Sequence, residues 1–242
     1  MSTADLFNAI KGWDFIGLCR LIRGRVDLNV FSESGTSALQ LSADLHQFVI
    51  FTLLVNGGAD PSIQNKLDGT TPLQSICDYN EEMSRETRNM LDLLFSKNVD
   101  VNAQDYNGNT ALHRATGNNS SLYIQKLLEH GADCRIVNKV YHAPLYFAIS
   151  RHAEETISQL LNAGSNINQL DVFGETMLHE FTREQDITAI VILLRHGIDH
   201  TIENTQGLTA YDLALFRGDT PTAQVIFHTI ESLRARKRKL IG

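Results

Sequence analysis

The sequence predicts an all-α solenoid of stacked helix-turn-helix units, and three observations carry that prediction. The first is a recurring apolar landmark: Leu6, Leu39, Leu73, Leu112, Leu145 and Leu178, then Tyr211, at spacings of 33, 34, 39, 33, 33 and 33. The second is an apolar pair 15 and 16 residues past each landmark: Leu21-Ile22, Leu54-Val55, Leu127-Leu128, Leu160-Leu161, Leu193-Leu194 and Ile226-Phe227. In the third unit the pair, Leu94-Phe95, comes six residues late. The third observation is that the stretch from Asn107 to Asn138 reads as two short helices with an apolar face left uncovered on each side. Such a unit must stack on copies of itself.

Within that stretch Thr110 is a good N-cap, Ala111, Leu112 and Ala115 open the first helix, and the helix ends near Gly117-Asn118. Leu122, Ile124, Leu127 and Leu128 form the apolar side of the second helix, which Gly131 stops at a position requiring φ > 0. Leu128 is therefore expected in the core. The segments TTPLQSI, NTALHRA and ETMLHEF match the pattern T-P-L-H-x-A at a period of 33. On these residues the chain resembles the ankyrin repeat family over essentially its whole length, and the resemblance implies an all-α ankyrin-repeat solenoid with short β-hairpin fingers and about seven repeats including two atypical caps. The units fall at 1–33 (N-terminal cap), 34–67, 68–106, 107–139, 140–172, 173–205 and 206–242 (C-terminal cap), read as one domain, 1–242.

Taken in order, Ala4 to Lys11 and Phe15 to Ile22 give the first helix pair, closed by Gly24, without the Gly-x-Thr lead-in of the later units. The second unit is regular. The third carries the large departure: Asp78 to Arg88, DYNEEMSRETR, lengthens the link between its helices by about six residues, at little closure entropy. That insertion reads either as a neutral surface loop or as a partner contact. In the fifth unit Tyr141 stands where the turn glycine belongs and Ala143 replaces the capping threonine, while Pro144 suits the first helical position. A weaker helix start and a reshaped turn are expected there. In the sixth, Phe181 replaces a methyl, so either the neighbouring helices part or a smaller residue across the interface makes room. The seventh has Tyr211-Asp212 for Leu-His and ends in a long helix started by Thr220 and Pro221.

Composition narrows the class. With 242 residues, 43% hydrophobic, the chain has apolar residues enough for a continuous repeat core. The longest apolar runs, Val49 to Val55 and Ile187 to Leu194, are too short to span a bilayer, and the start lacks a basic-and-apolar leader. An intracellular protein is expected. Cys19, Cys77 and Cys134 lie in different units without a C-x-x-C pair, which argues against a disulfide framework or a zinc site. His113 and His179 hold the position after the landmark leucine, where the ring bonds neighbouring backbone. No catalytic constellation stands out, since nucleophile elbow, Walker, HExxH and dinucleotide patterns are all missing. The expectation is a non-enzyme with no catalytic residue, no metal and no cofactor.

Function is then expected on a surface. The family resemblance implies a concave face, made by the finger tips and the outward positions of the first helices, on which members bind protein partners. Departures from small or polar residues there are the candidates: Tyr106, Lys139, Val140, Tyr141, Val172 and Phe173 on the tips, and Leu41, Leu45, Tyr79, Arg114, Phe147, Arg151 and Arg183 on the first helices. Aromatic and arginine side chains dominate interface energetics; any one alone reads equally as a half-buried neighbour. The formal charge is −7, and −12 without the basic residues Arg234, Arg236, Lys237, Arg238 and Lys239, which disfavours nucleic acid. That tail reads either as a solubilising helix end or as a nuclear import signal, so the expected location is the cytoplasm, with the nucleus if the signal operates. The expected state is a monomer that binds a protein as adaptor, scaffold or inhibitor. Two narrower alternatives are a regulator similar to the inhibitory ankyrin proteins of the NF-kappaB pathway and a substrate receptor of a ubiquitin ligase; a ligand-regulated or catalytic protein is the alternative from another class. The resemblance also marks Asn102, in Asp100-Val101-Asn102-Ala103, and more weakly Asn29, as candidates for asparaginyl hydroxylation.

Overall fold

A computed structural model describes residues 3–78 and 83–241, the side chains of 240 and 241 aside. Its described residues form fourteen helices and no strand, and the fingers are turns, with one antiparallel bridge between Phe31 and Ser37. By packing the chain divides into two compact units, residues 1–139 and 140–242.

The first unit contains α1 (Thr3–Lys11), α2 (Phe15–Arg23), α3 (Ala38–Asp44), α4 (Phe48–Asn56), α5 (Pro72–Cys77), α6 (Arg85–Ser96), α7 (Ala111–Gly117) and α8 (Ser121–Glu129). First helices stack on first helices, α1 on α3 on α5 on α7, and second helices likewise, α2 on α4 on α6. The second unit contains α9 (Pro144–Ser150), α10 (Glu154–Asn162), α11 (Met177–Glu184), α12 (Ile187–Arg195), α13 (Ala210–Phe216) and α14 (Thr220–Ile241), with α11 packed on α13 and α12 on α14.

The landmark leucines explain the stacking: Leu6, Leu39, Leu73, Leu112, Leu145 and Leu178 are all buried, as is the first member of every apolar pair. Each such side chain contributes about 1.5–3 kcal/mol relative to exposure. The second member is a different position. Ile22, Phe95, Leu128 and Leu161 are only half-buried and Phe227 is half exposed, so the expectation of a core Leu128 is corrected in favour of Leu127. Consecutive residues lie about 100° apart on a helix, so the second of the pair turns toward the edge of the stack and is covered only in places, as Val55 and Leu194 are.

Caps fix where the first helices begin. The residue after the landmark leucine closes a capping box in five units: Gln40, Gln74, His113, His179 and Asp212 each accept from the backbone N–H of the N-cap Ser37, Thr71, Thr110, Thr176 or Thr209. The same side chains reach onward, with Gln40 Nε2 donating to the Thr70 carbonyl at 2.7 Å and His179 Nε2 bonding the Leu208 carbonyl at 3.1 Å. Ala143 caps α9 without any side-chain bond, and Pro144 occupies its first turn, as expected.

The insertion is not wholly a loop. Ser84 caps α6 by accepting from Thr87 N–H at 3.1 Å, and Thr87 is buried, so residues 85–88 form the first turn of a 12-residue helix instead of extending the link. Residues 79–82 lie outside the described part.

Candidate functional site

The fingers are turns tied by a short polar side chain, Ser32 in the first and Asn65, Asp105, Asp171 and Asn204 in later ones. Asp105 Oδ1 accepts from the N–H groups of Asn107 and Asn109, both at 2.8 Å, and Asp171 Oδ1 does the same for Phe173 and Glu175. Successive tips are then joined through their backbones. In the first unit Lys66 N donates to Gly35 O at 3.1 Å, Tyr106 N to Asp68 O at 2.7 Å and Lys139 N to Asn107 O at 2.9 Å; in the second, Thr205 N donates to Phe173 O at 2.9 Å. The close approach needs glycine at Gly108, where a Cβ would meet Lys139 N at 2.9 Å.

In the first unit the predicted residues are largely spoken for. Tyr106 is half exposed, yet its ring lies over Gly69, where a Cβ would fall 2.4 Å from the ring. Arg114 is clamped internally: Nη1 donates to Asp78 at 2.8 Å, and Nη2 to Thr70 Oγ1 and to the buried Asp105 carboxylate, each at 2.9 Å. Leu41 is half-buried, Leu45 and Lys139 are exposed, and Tyr79 lies outside the described residues.

The second unit gathers more of them at one place. Val140, Tyr141, Val172 and Phe173 are exposed at 63%, 44%, 58% and 62%, a run of apolar surface on two fingers. Tyr141 holds φ of +65°, the left-handed region that glycine fills in the other fingers. For a bulky residue that conformation costs about 1–2 kcal/mol. Tyr141 and Arg183 line a cleft of about 80 Å³ together with His142, Tyr146, Asp171, Glu175 and Glu180. Arg183 donates to the buried Glu175 carboxylate, whose other oxygen accepts from Asn204 at 3.1 Å. His142 Nε2 lies 3.1 Å from both Glu180 oxygens and its ring stacks on Tyr146 at 3.5 Å between centroids. Burial and the Glu180 and Glu184 carboxylates push the Tyr146 hydroxyl well above the usual phenol range, so it stays protonated. Phe147 is half-buried against His142 and Tyr146, and Arg151 is exposed.

This corner also answers the question raised by Phe181. Its ring is fully buried and stacks at 5.1 Å on Tyr146, which itself replaces the capping histidine of other units. Two aromatic substitutions therefore meet, and the backbones of α9 and α11 approach less closely than those of α11 and α13.

The asparagines have a structural task. Asn102 Oδ1 accepts from Asp133 N–H at 2.8 Å and its Nδ2 donates to Gly131 O at 3.2 Å, while Asn29 and Asn168 accept at 2.8 Å from Asp60 and Asp199 N–H. Each clips one repeat to the next. Arg234, Arg236, Lys237, Arg238 and Lys239 are exposed along the end of α14. Exposed Trp13 in the first helix link, Phe15 and Ile16 at the start of α2, Leu67 on the second finger and Phe216 at the end of α13 were not singled out as contact residues in the sequence. A repeat marks which residues depart from the pattern but not which departures stay uncovered. Among the described residues no group of three His, Cys, Asp or Glu could hold a metal ion, and no helix is long and apolar enough to cross a membrane. The cleft's one aliphatic hydroxyl among those residues, on Thr176, is committed to His179 at 3.0 Å. The cleft presents carboxylates and aromatic side chains.

A family model described as ankyrin repeats (3 copies) matches residues 39–138 and 145–235. The mouse B-cell lymphoma 3 protein homolog is 29% identical over 180 residues, 72% of this chain and 40% of that protein. The human B-cell lymphoma 3 protein is 27% identical over 196 residues, 81% and 42% of the two. The chicken nuclear factor NF-kappa-B p105 subunit is 27% identical over 147 residues, 56% of this chain and 15% of that protein. Among solved structures, the ankyrin repeat domain of Bcl-3, described as a unique member of the IkappaB protein family, matches with a TM-score of 0.76 at 25% identity, over 92% of this chain and 97% of that one. The chain thus spans less than half the length of the curated relatives named here.

Proposed function

Because the chain belongs to the ankyrin-repeat family, we propose that it is a non-enzymatic protein-interaction module that holds a partner protein on its finger tips and the adjoining first helices. The observation that carries this reading is the exposed apolar pair of tips in the second unit, Val140-Tyr141 and Val172-Phe173. A tip that keeps a tyrosine in a strained conformation, beside half-buried aromatics and a cleft, gives up stability that glycine would supply; such outliers concentrate where contact is made.

The likeness to Bcl-3 and to the p105 subunit favours, among modules of this kind, an IkappaB-like regulator of a signalling or transcription protein. Its place of action on that reading is the cytoplasm and, with Arg234 to Lys239 as an import signal, the nucleus. The adaptor reading differs only in what the bound partner does next.

The test is capture from cell extract by the wild type and by the triple variant Tyr106→Ala, Tyr141→Ala, Phe173→Ala, once the variant is seen to melt like the wild type. Loss of specific bound proteins in the variant is the expected outcome. Retention of all of them moves the site away from the tips. A purified NF-kappaB subunit in the same assay separates the readings, because an IkappaB-like regulator retains it and an unrelated adaptor does not.

A further inference from the structure

We propose that the cleft between residues 140–143 and 171–177 receives an arginine side chain, carried on an extended and otherwise apolar segment of the partner protein. The proposal rests on the finger tips being the protein-binding surface and names the chemistry that they select. Size is the first support. At about 80 Å³ the cleft is far below the roughly 300–1,000 Å³ of small-molecule sites, and suits a single side-chain head.

Charge is the second. Asp171, Glu175 and Glu180 line the cleft against one cation, Arg183, whose guanidinium is already committed to Glu175. Glu180 points both its oxygens at His142 Nε2, 3.1 Å from each. The surroundings have the same sign. The second unit, residues 140–242, holds nine basic residues against twelve acidic ones, a formal −3, and five of the nine stand in the tail Arg234 to Lys239, so the rest of the unit draws a cation toward the cleft.

The walls select among cations. Tyr141 presents its ring, Tyr146 being already stacked against His142 and Phe181, and a planar guanidinium can lie on a ring face while its edge donates to a carboxylate, which a tetrahedral ammonium does less well. The rim selects the neighbours: Val140 stands on one finger and Val172 and Phe173 on the next, so residues before and after the arginine meet apolar surface. Tyr141 belongs to both wall and rim. Glycine in its place would relieve the backbone and remove the ring.

The experiment is panning of a random-peptide phage library on the full chain, followed by fluorescence anisotropy with the enriched peptides as labelled probes. Wild type, Glu180→Gln and Phe173→Ala are compared, each first shown to melt normally, and every arginine peptide is also made with neutral, isosteric citrulline. The expected result is a shared arginine between apolar residues, with binding at least tenfold weaker for Glu180→Gln and for the citrulline peptide, and weaker again for Phe173→Ala. The citrulline comparison needs no variant protein, so it stands even if Glu180→Gln misfolds. Enriched peptides without a basic residue that still depend on Phe173 overturn the arginine site and leave the finger surface standing. Peptides that neither variant affects overturn both.

Discussion

The two units solve the same repeat with different groups, and the contrast is sharpest where neighbouring repeats are tied together. In the first unit the ties are permanent cations: Arg114 to Asp78 and Asp105, and Lys126 to Asp92 at 3.1 Å. In the second they are histidines: His142 to Glu180, His152 to Asp186 and His196 to Glu154, at 3.0–3.1 Å, carrying charge only when protonated. At one register position, two residues past the landmark leucine, the first unit places Arg114 and the second Glu180. Arg114 turns inward and locks three acceptors of its own unit. Glu180 lines a cleft. Where the first unit covers a glycine tip with Tyr106, the second leaves Tyr141 strained and open. A repeat can thus be used either to hold itself together or to hold something else, and sequence position alone does not decide which.

The largest effects lie where the units agree. Leu127→Ala in the first and Leu160→Ala in the second should each cost about 2–5 kcal/mol, both side chains being fully buried. Half-buried Leu128→Ala should cost clearly less than Leu127→Ala in urea melts. Equal losses at 127 and 128 would mean that the register is misplaced. Next comes the contrast itself: Arg114→Ala strands the buried Asp105 carboxylate and should cost about 2–4 kcal/mol, against about 1 kcal/mol or less for His152→Ala, whose pair is largely open to water. Comparable values would erase the distinction between the two kinds of tie. Tyr141→Gly should raise stability by about 1 kcal/mol through relief of its positive φ while weakening partner capture, an opposition that a merely structural residue does not produce.

Smaller effects sharpen the picture. Cys19 is half-buried, whereas Cys77 and Cys134 are buried and burial pushes the Cys77 thiol up, so a maleimide should label Cys19 first and Cys77 only on unfolding. Acid should act on both units alike. Hydrogen bonds from the Arg135, Thr201 and Thr222 side chains hold the Asp133, Asp199 and Asp219 carboxyls below the ordinary 3.8. Their folded values are depressed, so the stability they add is present above pH 3.8 and lost as pH falls through the lower folded values. Replacing all three by Asn should flatten that acid limb in a pH series of melts.

The frame of the molecule was legible because the period ties distant residues to one geometry. Landmark leucines, capping threonines and turn glycines have local signatures, and Tyr141 stood out because it broke one. What was not legible depended on partners far along the chain. Nothing near Arg114 announces Asp78 or Thr70, 36 and 44 residues away, so it read as an outward-facing contact. Phe181 was visibly too large, but its stack on Tyr146 required knowing that two departures 35 residues apart share one interface. Residues 85–88 read as loop because the helix start at Ser84 lies inside an insertion that the period cannot index.

The asparagine clips have a mechanical consequence. They recur at 29, 102 and 168, while the intervening positions of the same register, 62, 135 and 201, hold Ser, Arg and Thr, which lack the carboxamide oxygen that accepts from the aspartate N–H of the next repeat. A chain whose alternate joints carry this extra clip should, when pulled from its ends, yield two repeats at a time. Under tension in optical tweezers it would lengthen in steps of about 66 residues, roughly 220–240 Å each when extended, instead of paying out single repeats.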